Sequence, residues 1–239
     1  MALVIPGGII YISIRILDFY TTGVLMRTVD LMVFDFDGTL VSSGEDIATS
    51  VNLTLRDLGL EVLEREKVIS FVGDGVKKLI ERALGEEHRD LFDRALEIFK
   101  DFYAEHLLDT TGLYPGVEEL LRHFSGKRKV ILTNKNRAFT MTIAKALGLV
   151  AHFDDIVAGD STPYLKPDLR LIRPLMARFR AEAHRTAVIG DSMQDILLAR
   201  NTGAMSCAFL NGLVSRDILL QLKPDYTFEV ITELKSYFK

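Results

Sequence analysis

The sequence predicts a doubly wound α/β fold: a parallel sheet covered by helices on both faces, with a small α-helical cap domain inserted into it. Three observations support this prediction. Short apolar runs recur along the chain and end in polar or glycine residues, as buried parallel strands do. Amphipathic segments separate these runs, which is the alternation of βαβ units. From about Glu45 to Leu113, however, the patterning is almost entirely helical.

Five of the apolar runs are predicted to be strands, and four segments between or after them are predicted to be helices. The strands are DLMVFD, KVILTN, DIVAG, TAVIGD and MSCAFL. The helices cover residues 117–124, 137–147, 169–181 and 193–201. Several of these segments are followed by glycine, such as Gly148 and Gly203, which is a common signal for the end of a helix.

The block without strands is predicted to contain helices over residues 46–58, 64–71, 76–84 and 88–108. Because it interrupts the chain between the first two strands, we expect it to be an insertion, and helical insertions often cover active sites. The expected domains are a core of residues 26–43 and 114–239 and a cap of residues 44–113. The alternative is that these helices simply form one side of the sandwich.

Composition excludes several classes of function. The chain has 239 residues, 48% hydrophobic and 26% charged, with a net charge of −4. This charge gives no general attraction to nucleic acid or acidic lipid, so neither is expected as a partner. The sole cysteine, Cys207, lies in an apolar run and is predicted to be a buried thiol. One unpaired cysteine fits a reducing, cytoplasmic location.

Residues 1–25 are apolar but poorly suited to a membrane role. Arg15 and Asp18 interrupt the segment, and its uninterrupted part is shorter than the roughly 20 residues of a spanning helix. Two interpretations stand: an extension that packs on the domain or touches a membrane, or a translation start at Met26. We favour the start at Met26, because the first predicted strand follows it almost at once.

Chemically active residues follow the predicted strands. They are Asp35, Asp37, Gly38 and Thr39 after the first strand, Thr133 and Asn134 after the second, Lys166 in a later loop, and Asp191, Ser192 and Asp195 after TAVIG. Ligands of open α/β sheets bind at the carboxyl ends of the strands, so these side chains are expected to meet. Carboxylates suit Mg²⁺, and a lysine with a hydroxyl suits a phosphoryl group. Taken singly, each motif also fits a turn, a helix cap or a surface lysine.

Four motifs in this order resemble the haloacid dehalogenase-like (HAD) superfamily, in particular its phosphoglycolate phosphatase-like members. They are DFDGT, ILTN, KPD and GDSMQD. The segments FVGDGV and LYPGV also look like this subgroup, and the resemblance spans about Asp30 to Tyr226. It implies a Rossmann-like core and a Mg²⁺-dependent phosphatase for a small phosphorylated metabolite, with 2-phosphoglycolate as the best candidate.

The resemblance also implies a role for each motif residue. Asp35 would be the nucleophile that forms an aspartyl-phosphate, and Asp37 would exchange protons with the leaving alcohol and the attacking water. Mg²⁺ would be held by Asp35, the backbone carbonyl of Asp37, and Asp191. The phosphate and substrate contacts would come from Thr133, Asn134, Lys166 and the cap loop at Gly73 and Gly75, with Asp195 in a supporting role. Lys77 or Lys78 would meet a substrate carboxylate, or would merely belong to the start of a helix.

Other interpretations remain open at this point. A phosphomutase, or a pyrophosphatase or nucleotidase, would use the same scaffold, and a non-catalytic phosphoester-binding protein would share the fold. Ser42 stands where relatives of this subgroup often carry Asp, which removes a carboxylate near the expected hinge of the cap. The oligomeric state is open, and a homodimer is one assembly that the sequence allows.

Overall fold

The computed structural model describes residues 3–5, 8–10 and 26–239. Near the N-terminus two short strands, β1 (Leu3–Ile5) and β2 (Gly8–Ile10), pair antiparallel. The predicted start at Met26 depends on residues 1–25, most of which lie outside the described residues, so it stays a prediction. Within the described part of the chain, no helix has the length and apolar character needed to cross a membrane.

A parallel sheet forms the centre of the fold. The strands that follow β2 are β3 (Leu31–Phe34), β4 (Val41–Ser42), β5 (Gly112–Leu113), β6 (Arg128–Leu132), β7 (Asp155–Val157), β8 (Thr186–Gly190), β9 (Met205–Phe209) and β10 (Tyr226–Phe228). Six of them form one parallel sheet in the order β10-β9-β8-β3-β6-β7. All five predicted strands are confirmed, and β10 was missed because its sequence, YTF, is interrupted by a polar residue and forms no continuous apolar run.

Ten helices accompany the strands in the described part of the chain. They are α1 (Gly44–Asp57), α2 (Arg65–Ile69), α3 (Val76–Leu84), α4 (Phe92–His106), α5 (Val117–His123), α6 (Arg137–Ala146), α7 (Leu169–Phe179), α8 (Met193–Thr202), α9 (Arg216–Gln221) and α10 (Leu234–Tyr237). The helix expected over 88–108 was wrong at its start. A 3₁₀ segment, Glu86–Leu91, precedes α4, and His88 within it leaves helical geometry at φ −120°.

The two faces of the sheet are buried in separate cores, as the alternation of side chains along a strand requires. Met32 and Phe34 of β3 belong to the larger core, which also contains residues of α5 and α6. Leu31 and Val33 face the other side and join residues of α7 and α8. Cys207 is buried in the larger core, as predicted. The doubly wound α/β prediction is therefore confirmed.

The order in which successive strands are added to the sheet reverses at β3. From β3 the sheet extends through β6 to β7 on one side, and the chain then returns to β8 on the other side of β3. Such a reversal leaves a crevice at the carboxyl ends of the central strands, where ligands of open α/β sheets bind. The residues that follow β3, β6 and β8 therefore come together there.

The helices α1 to α4 leave and rejoin the core through a narrow neck. The two-residue strands β4 and β5 pair antiparallel, with Val41 opposite Leu113 and Ser42 opposite Gly112. Next to this neck the Asp46 carboxylate accepts hydrogen bonds from the backbone and hydroxyl groups of Thr110 and Thr111. We refer to α1–α4 as the cap helices. That residues 44–113 act as a separate domain remains a prediction.

Candidate active site

The turn after β3 places Asp35 and Asp37 at the carboxyl edge of the sheet. The Asp35 N–H donates to the Ile189 carbonyl at 2.8 Å, which extends the strand pairing to this residue. The Phe36 carbonyl then accepts hydrogen bonds from three successive N–H groups, those of residues 39, 40 and 41. The buried Phe36 ring anchors this turn. The two carboxylates are thus held on a rigid turn at the end of a buried strand.

Asp35 shares a buried lysine with Asp195. The Lys166 ammonium lies 2.8 Å from Oδ1 of Asp35 and 2.7 Å from Oδ1 of Asp195. Burial, reinforced by the charge of Asp195, raises the pKa of Asp35 well above its ordinary value, although Lys166 acts in the opposite direction. Burial disfavours the charged form of Lys166, but the two carboxylates outweigh burial and hold its pKa above the usual value. Lys166 is therefore a fixed positive charge beside Asp35.

Asp191, directly after β8, is the third carboxylate of the site. Its Oδ1 accepts from the Thr39 hydroxyl at 2.8 Å, and its Oδ2 accepts from the Leu213 N–H at 2.7 Å. Burial, followed by the charge of Asp195, raises the pKa of Asp191 to about 7. A Cβ at Gly38 would lie 2.1 Å from Asp191 Oδ2, so only glycine lets the turn pack against this carboxylate.

The carboxylates form a cluster that fits a hard divalent cation. One oxygen each of Asp35, Asp191 and Asp195 lie within 4.8 Å of one another, and all three side chains are buried. Both oxygens of Asp195 are already engaged, Oδ1 by Lys166 and Oδ2 by Ser192. Among the described residues, none donates a hydrogen bond to Oδ2 of Asp35. Asp35 and Asp191 are the better placed ligands, because within this part of the chain Asp35 keeps one oxygen free and the oxygens of Asp191 accept from neutral donors, whereas Asp195 has no free oxygen and pairs with a cation.

Thr133 and Asn134 follow β6 and lie beside these carboxylates. Thr133 is nearly buried, and its hydroxyl oxygen accepts from the Lys135 N–H at 3.2 Å. The Asn134 amide group donates to the Gly73 carbonyl at 2.9 Å and accepts from the Lys166 N–H at 2.8 Å. Asn134 thus joins the cap helices' loop to the segment that carries Lys166. The phosphate contact predicted for its side chain stays a prediction.

The sequence of this chain matches those of known proteins. Residues 32–209 match the family model for haloacid dehalogenase-like hydrolases. The chain belongs to this family. The phosphoglycolate phosphatase of Nitrosospira multiformis is 37% identical over 180 residues, which cover 72% of this chain and 79% of that protein. The phosphoglycolate phosphatase of Chromobacterium violaceum is 34% identical over 222 residues, 90% of this chain and 98% of that protein.

A solved structure agrees with this assignment. It is described as a predicted phosphoglycolate phosphatase from Haemophilus somnus 129pt and superposes with a TM-score of 0.83 at 29% identity. The match covers 88% of this chain and 98% of that chain. The resemblance drawn from the four motifs is therefore confirmed at the level of the family and of the fold.

In this hydrolase, an open cleft lies between the strand ends and the cap helices. Asp35, Asp37, Thr133 and Asp191 line its floor. The cap helices contribute mainly apolar side chains, among them Ile47, Val76, Leu79 and Phe99. The cleft therefore pairs a charged floor with a largely apolar roof, as ligand sites commonly do.

The loop before α3 reaches the cleft from the cap. Gly73 and Gly75 line the cleft and have φ angles of 123° and 85°, which favour glycine. Between them, Asp74 hydrogen-bonds Gln194 of α8 and pairs with Arg82 of α3, so the loop is attached to both core and cap. Lys77 and Lys78, in the first turn of α3, are exposed and do not line the cleft, and Lys78 pairs with Glu81.

Three residues around Asp37 were missed by the sequence prediction. The Lys135 ammonium lies 2.9 and 3.1 Å from the two oxygens of Asp37, and 2.6 Å from the Tyr103 hydroxyl. The Ser43 hydroxyl donates to Oδ1 of Asp37 at 2.5 Å. A lysine directly after the ILTN motif was a detectable signal, because it follows a buried strand at the edge where ligands bind. Tyr103, on a cap helix, had no comparable signal.

Proposed function

We propose that this protein is a Mg²⁺-dependent phosphatase that hydrolyses a small phosphorylated metabolite, 2-phosphoglycolate being the best candidate. The observation that carries the proposal is the state of Asp35. Its Oδ1 is bound by Lys166 and by the Phe36 N–H, whereas Oδ2 receives no hydrogen bond from the described residues. A carboxylate that lines a cleft, held by one oxygen and with the other free of hydrogen bonds, is arranged as a nucleophile.

In the first step, Oδ2 of Asp35 attacks phosphorus, the bond from phosphorus to the ester oxygen breaks, and the alcohol leaves. Asp37, protonated, gives its proton to the departing oxygen. In the second step a water attacks the aspartyl-phosphate, Asp37 takes a proton from this water, and phosphate is released with Asp35 restored. Asp35 and Asp37 both line the cleft, so both reach the same substrate.

The phosphoryl oxygens carry negative charge that the site must balance. Lys166, buried against Asp35, supplies one positive charge, and the Thr133 hydroxyl supplies a hydrogen-bond donor at the cleft floor. Asp35, Asp191 and the backbone carbonyl of Asp37 would hold Mg²⁺, which would neutralise the repulsion between the nucleophile and the phosphate. Asp195 fixes Lys166 in place through the 2.7 Å ion pair.

The choice of 2-phosphoglycolate is supported by relatives. The proteins from Nitrosospira multiformis and Chromobacterium violaceum, which align over most of this chain, are phosphoglycolate phosphatases. The glycine loop at Gly73 and Gly75 would contact the leaving group, because its backbone lies at the cleft next to Asn134.

The test is phosphate release from a panel of phosphorylated metabolites, measured with Mg²⁺ and with EDTA. We expect Mg²⁺-dependent release with the highest kcat/KM on 2-phosphoglycolate. Asp35→Asn should abolish turnover while the protein still folds and unfolds cooperatively on heating. Asp101→Asn, at an exposed position, should behave as wild type. Full activity of Asp35→Asn would refute the mechanism. A preference for nucleotides, pyrophosphate or sugar phosphates would overturn the substrate alone.

A further inference from the structure

Lys135 is a buried charge to which the mechanism above gives no role. Only 7% of its side chain is exposed, although it lines the cleft. It follows Asn134 shortly after the end of β6, and the Asn134 side chain accepts a hydrogen bond from the Lys166 N–H, so Lys135 lies on an anchored part of the chain. Burying a lysine costs free energy unless partners compensate, and here the compensating partners are Asp37 and Tyr103.

The partners of Lys135 use its whole bonding capacity. An ammonium group has three N–H donors and no acceptor. Its three acceptors are Oδ1 of Asp37 at 2.9 Å, Oδ2 of Asp37 at 3.1 Å and the Tyr103 oxygen at 2.6 Å. The ammonium therefore has no donor left over for a substrate anion in this arrangement.

Asp37 is gripped from two sides. Lys135 contacts both of its oxygens, and the Ser43 hydroxyl donates to Oδ1 at 2.5 Å. A side chain that transfers a proton must keep its oxygen within hydrogen-bond distance of the reacting atom. The grip restricts rotation of the carboxylate and so keeps it aimed at one place in the cleft.

Tyr103 connects this grip to the cap helices. It lies on α4, is 1% exposed, and its ring packs on Phe99 at 5.5 Å and on Phe139 of α6 at 5.0 Å. Its hydroxyl oxygen is the acceptor that completes the coordination of Lys135. Withdrawal of α4 from the core would remove this acceptor, so the grip on Asp37 depends on the position of the cap.

We propose that Lys135 and Tyr103 are positioning residues that hold the Asp37 carboxylate in line for proton transfer, and that Tyr103 makes this alignment depend on the cap lying over the core. The inference rests on the proposed phosphatase function. It assigns no contact with the substrate to either residue.

The test uses the leaving group of the substrate. An alkyl alcohol leaves only with a proton from Asp37, whereas nitrophenolate leaves without one. The parameter is kcat/KM, because it reports the steps up to departure of the alcohol. For Lys135→Met we expect a loss of roughly 100-fold on 2-phosphoglycolate and on ethyl phosphate, but less than about 3-fold on p-nitrophenyl phosphate. Tyr103→Phe keeps the ring and should show the same selectivity with a loss of roughly 10-fold.

Two matched controls accompany these variants. Lys145→Met removes an exposed lysine of α6, and Tyr237→Phe removes a hydroxyl that bonds the Thr227 carbonyl far from the cleft. Both should retain wild-type kinetics on all three substrates. Lys135→Arg keeps the charge and should recover part of the activity lost in Lys135→Met. In an Asp37→Asn background, Lys135→Met should add little, because the group that it positions is already disabled.

Each unfavourable result would lead to a different conclusion. An equal loss on all three substrates would show a merely structural role and overturn the proposal. A loss confined to 2-phosphoglycolate would show that Lys135 recognises the carboxylate, which also overturns it. Either result leaves the phosphatase function standing, since the wild type still turns over. Absence of phosphate release by the wild type from every ester would instead refute the proposed function, and the positioning role with it.

Discussion

The junction at Asp46 offers a quantitative test of how the cap is fastened. Asp46, in the first turn of α1, is 2% exposed. Its oxygens accept from the N–H and hydroxyl groups of Thr110 and Thr111, at distances from 2.5 to 3.1 Å. These two threonines lie just before β5, so one carboxylate ties the start of the cap helices to their end. The perturbation is Asp46→Asn, which keeps the shape and removes the charge.

The magnitude follows from the hydrogen bonds that asparagine cannot replace. The asparagine amide oxygen keeps the bonds on one side of the junction, but its NH₂ group faces the Thr111 N–H and cannot accept that bond, and the remaining bonds lose the charge of the carboxylate. A hydrogen bond to a charged group contributes about 1.5–3 kcal/mol, and such contributions are not additive. We therefore expect a loss of about 3 kcal/mol in the free energy of unfolding. This corresponds to a fall of roughly 6–12 °C in thermal midpoint for a chain of this size.

The effect should depend on pH in a defined direction. Burial raises the pKa of Asp46, but the hydrogen bonds from Thr110 and Thr111 outweigh it and hold this pKa below the ordinary value of 3.8. A carboxyl group with a lowered pKa stabilises the folded state above its unfolded pKa, and this contribution is lost as the pH falls through the folded pKa. The difference between wild type and Asp46→Asn should be constant from about pH 8 to pH 5 and shrink below about pH 4.

Urea unfolding of both proteins across this range, followed by circular dichroism, measures the difference. The control is Asp101→Asn, an exposed aspartate within α4, which should change stability by less than about 0.5 kcal/mol. A difference below about 1 kcal/mol at neutral pH, or one that varies between pH 5 and 8, would refute the reasoning.

Three further predictions concern the site. Gly38→Ala places a Cβ 2.1 Å from Asp191 and should lower kcat at least roughly 10-fold, whereas Gly59→Ala, with a similar φ of 72° and nothing within 4 Å, should reduce only stability, by about 1 kcal/mol. Mg²⁺ should raise the thermal midpoint of the wild type but not of Asp191→Asn, and an equal rise in both would remove Asp191 from the metal site. Asn134→Ala should make the loop at Gly73 more susceptible to limited proteolysis, because the hydrogen bond from the Asn134 side-chain amide to the Gly73 carbonyl, 2.9 Å long, is lost. Unchanged cleavage would contradict that role.

Much of the fold was predictable because local patterns and the final packing agree. The buried strands are apolar throughout, as a sheet covered on both faces requires. Helix α3 was predicted with its observed limits because Gly75 and Gly85, both with positive φ, bound an amphipathic run. The pair β4 and β5 was not predictable, since two-residue strands carry no periodicity and form only through pairing across the insertion.

Some residues of the site were likewise predictable from the sequence, and others were not. Asp35, Asp191 and Lys166 could be placed together because topology brings strand ends to one edge, whatever the details of packing. Tyr103 could not, because its spacing of four residues from Phe99 on α4 equally describes an ordinary core stripe. Its contact with Lys135 depends on how α4 lies over the sheet, and that is a property of tertiary structure alone.

The narrow neck at β4 and β5 makes the insertion interchangeable. The chain departs after Ser42 and returns at Gly112, and these residues are paired partners, so they lie about 5 Å apart. A segment whose two ends meet at that spacing would leave the register of the central sheet unchanged, provided that it covers the same apolar core and supplies an acceptor for Lys135 as Tyr103 does. The bond-breaking groups stay on the core while the walls around the leaving group are exchanged. One catalytic platform can thereby acquire new substrates through the exchange of a single contiguous stretch of chain.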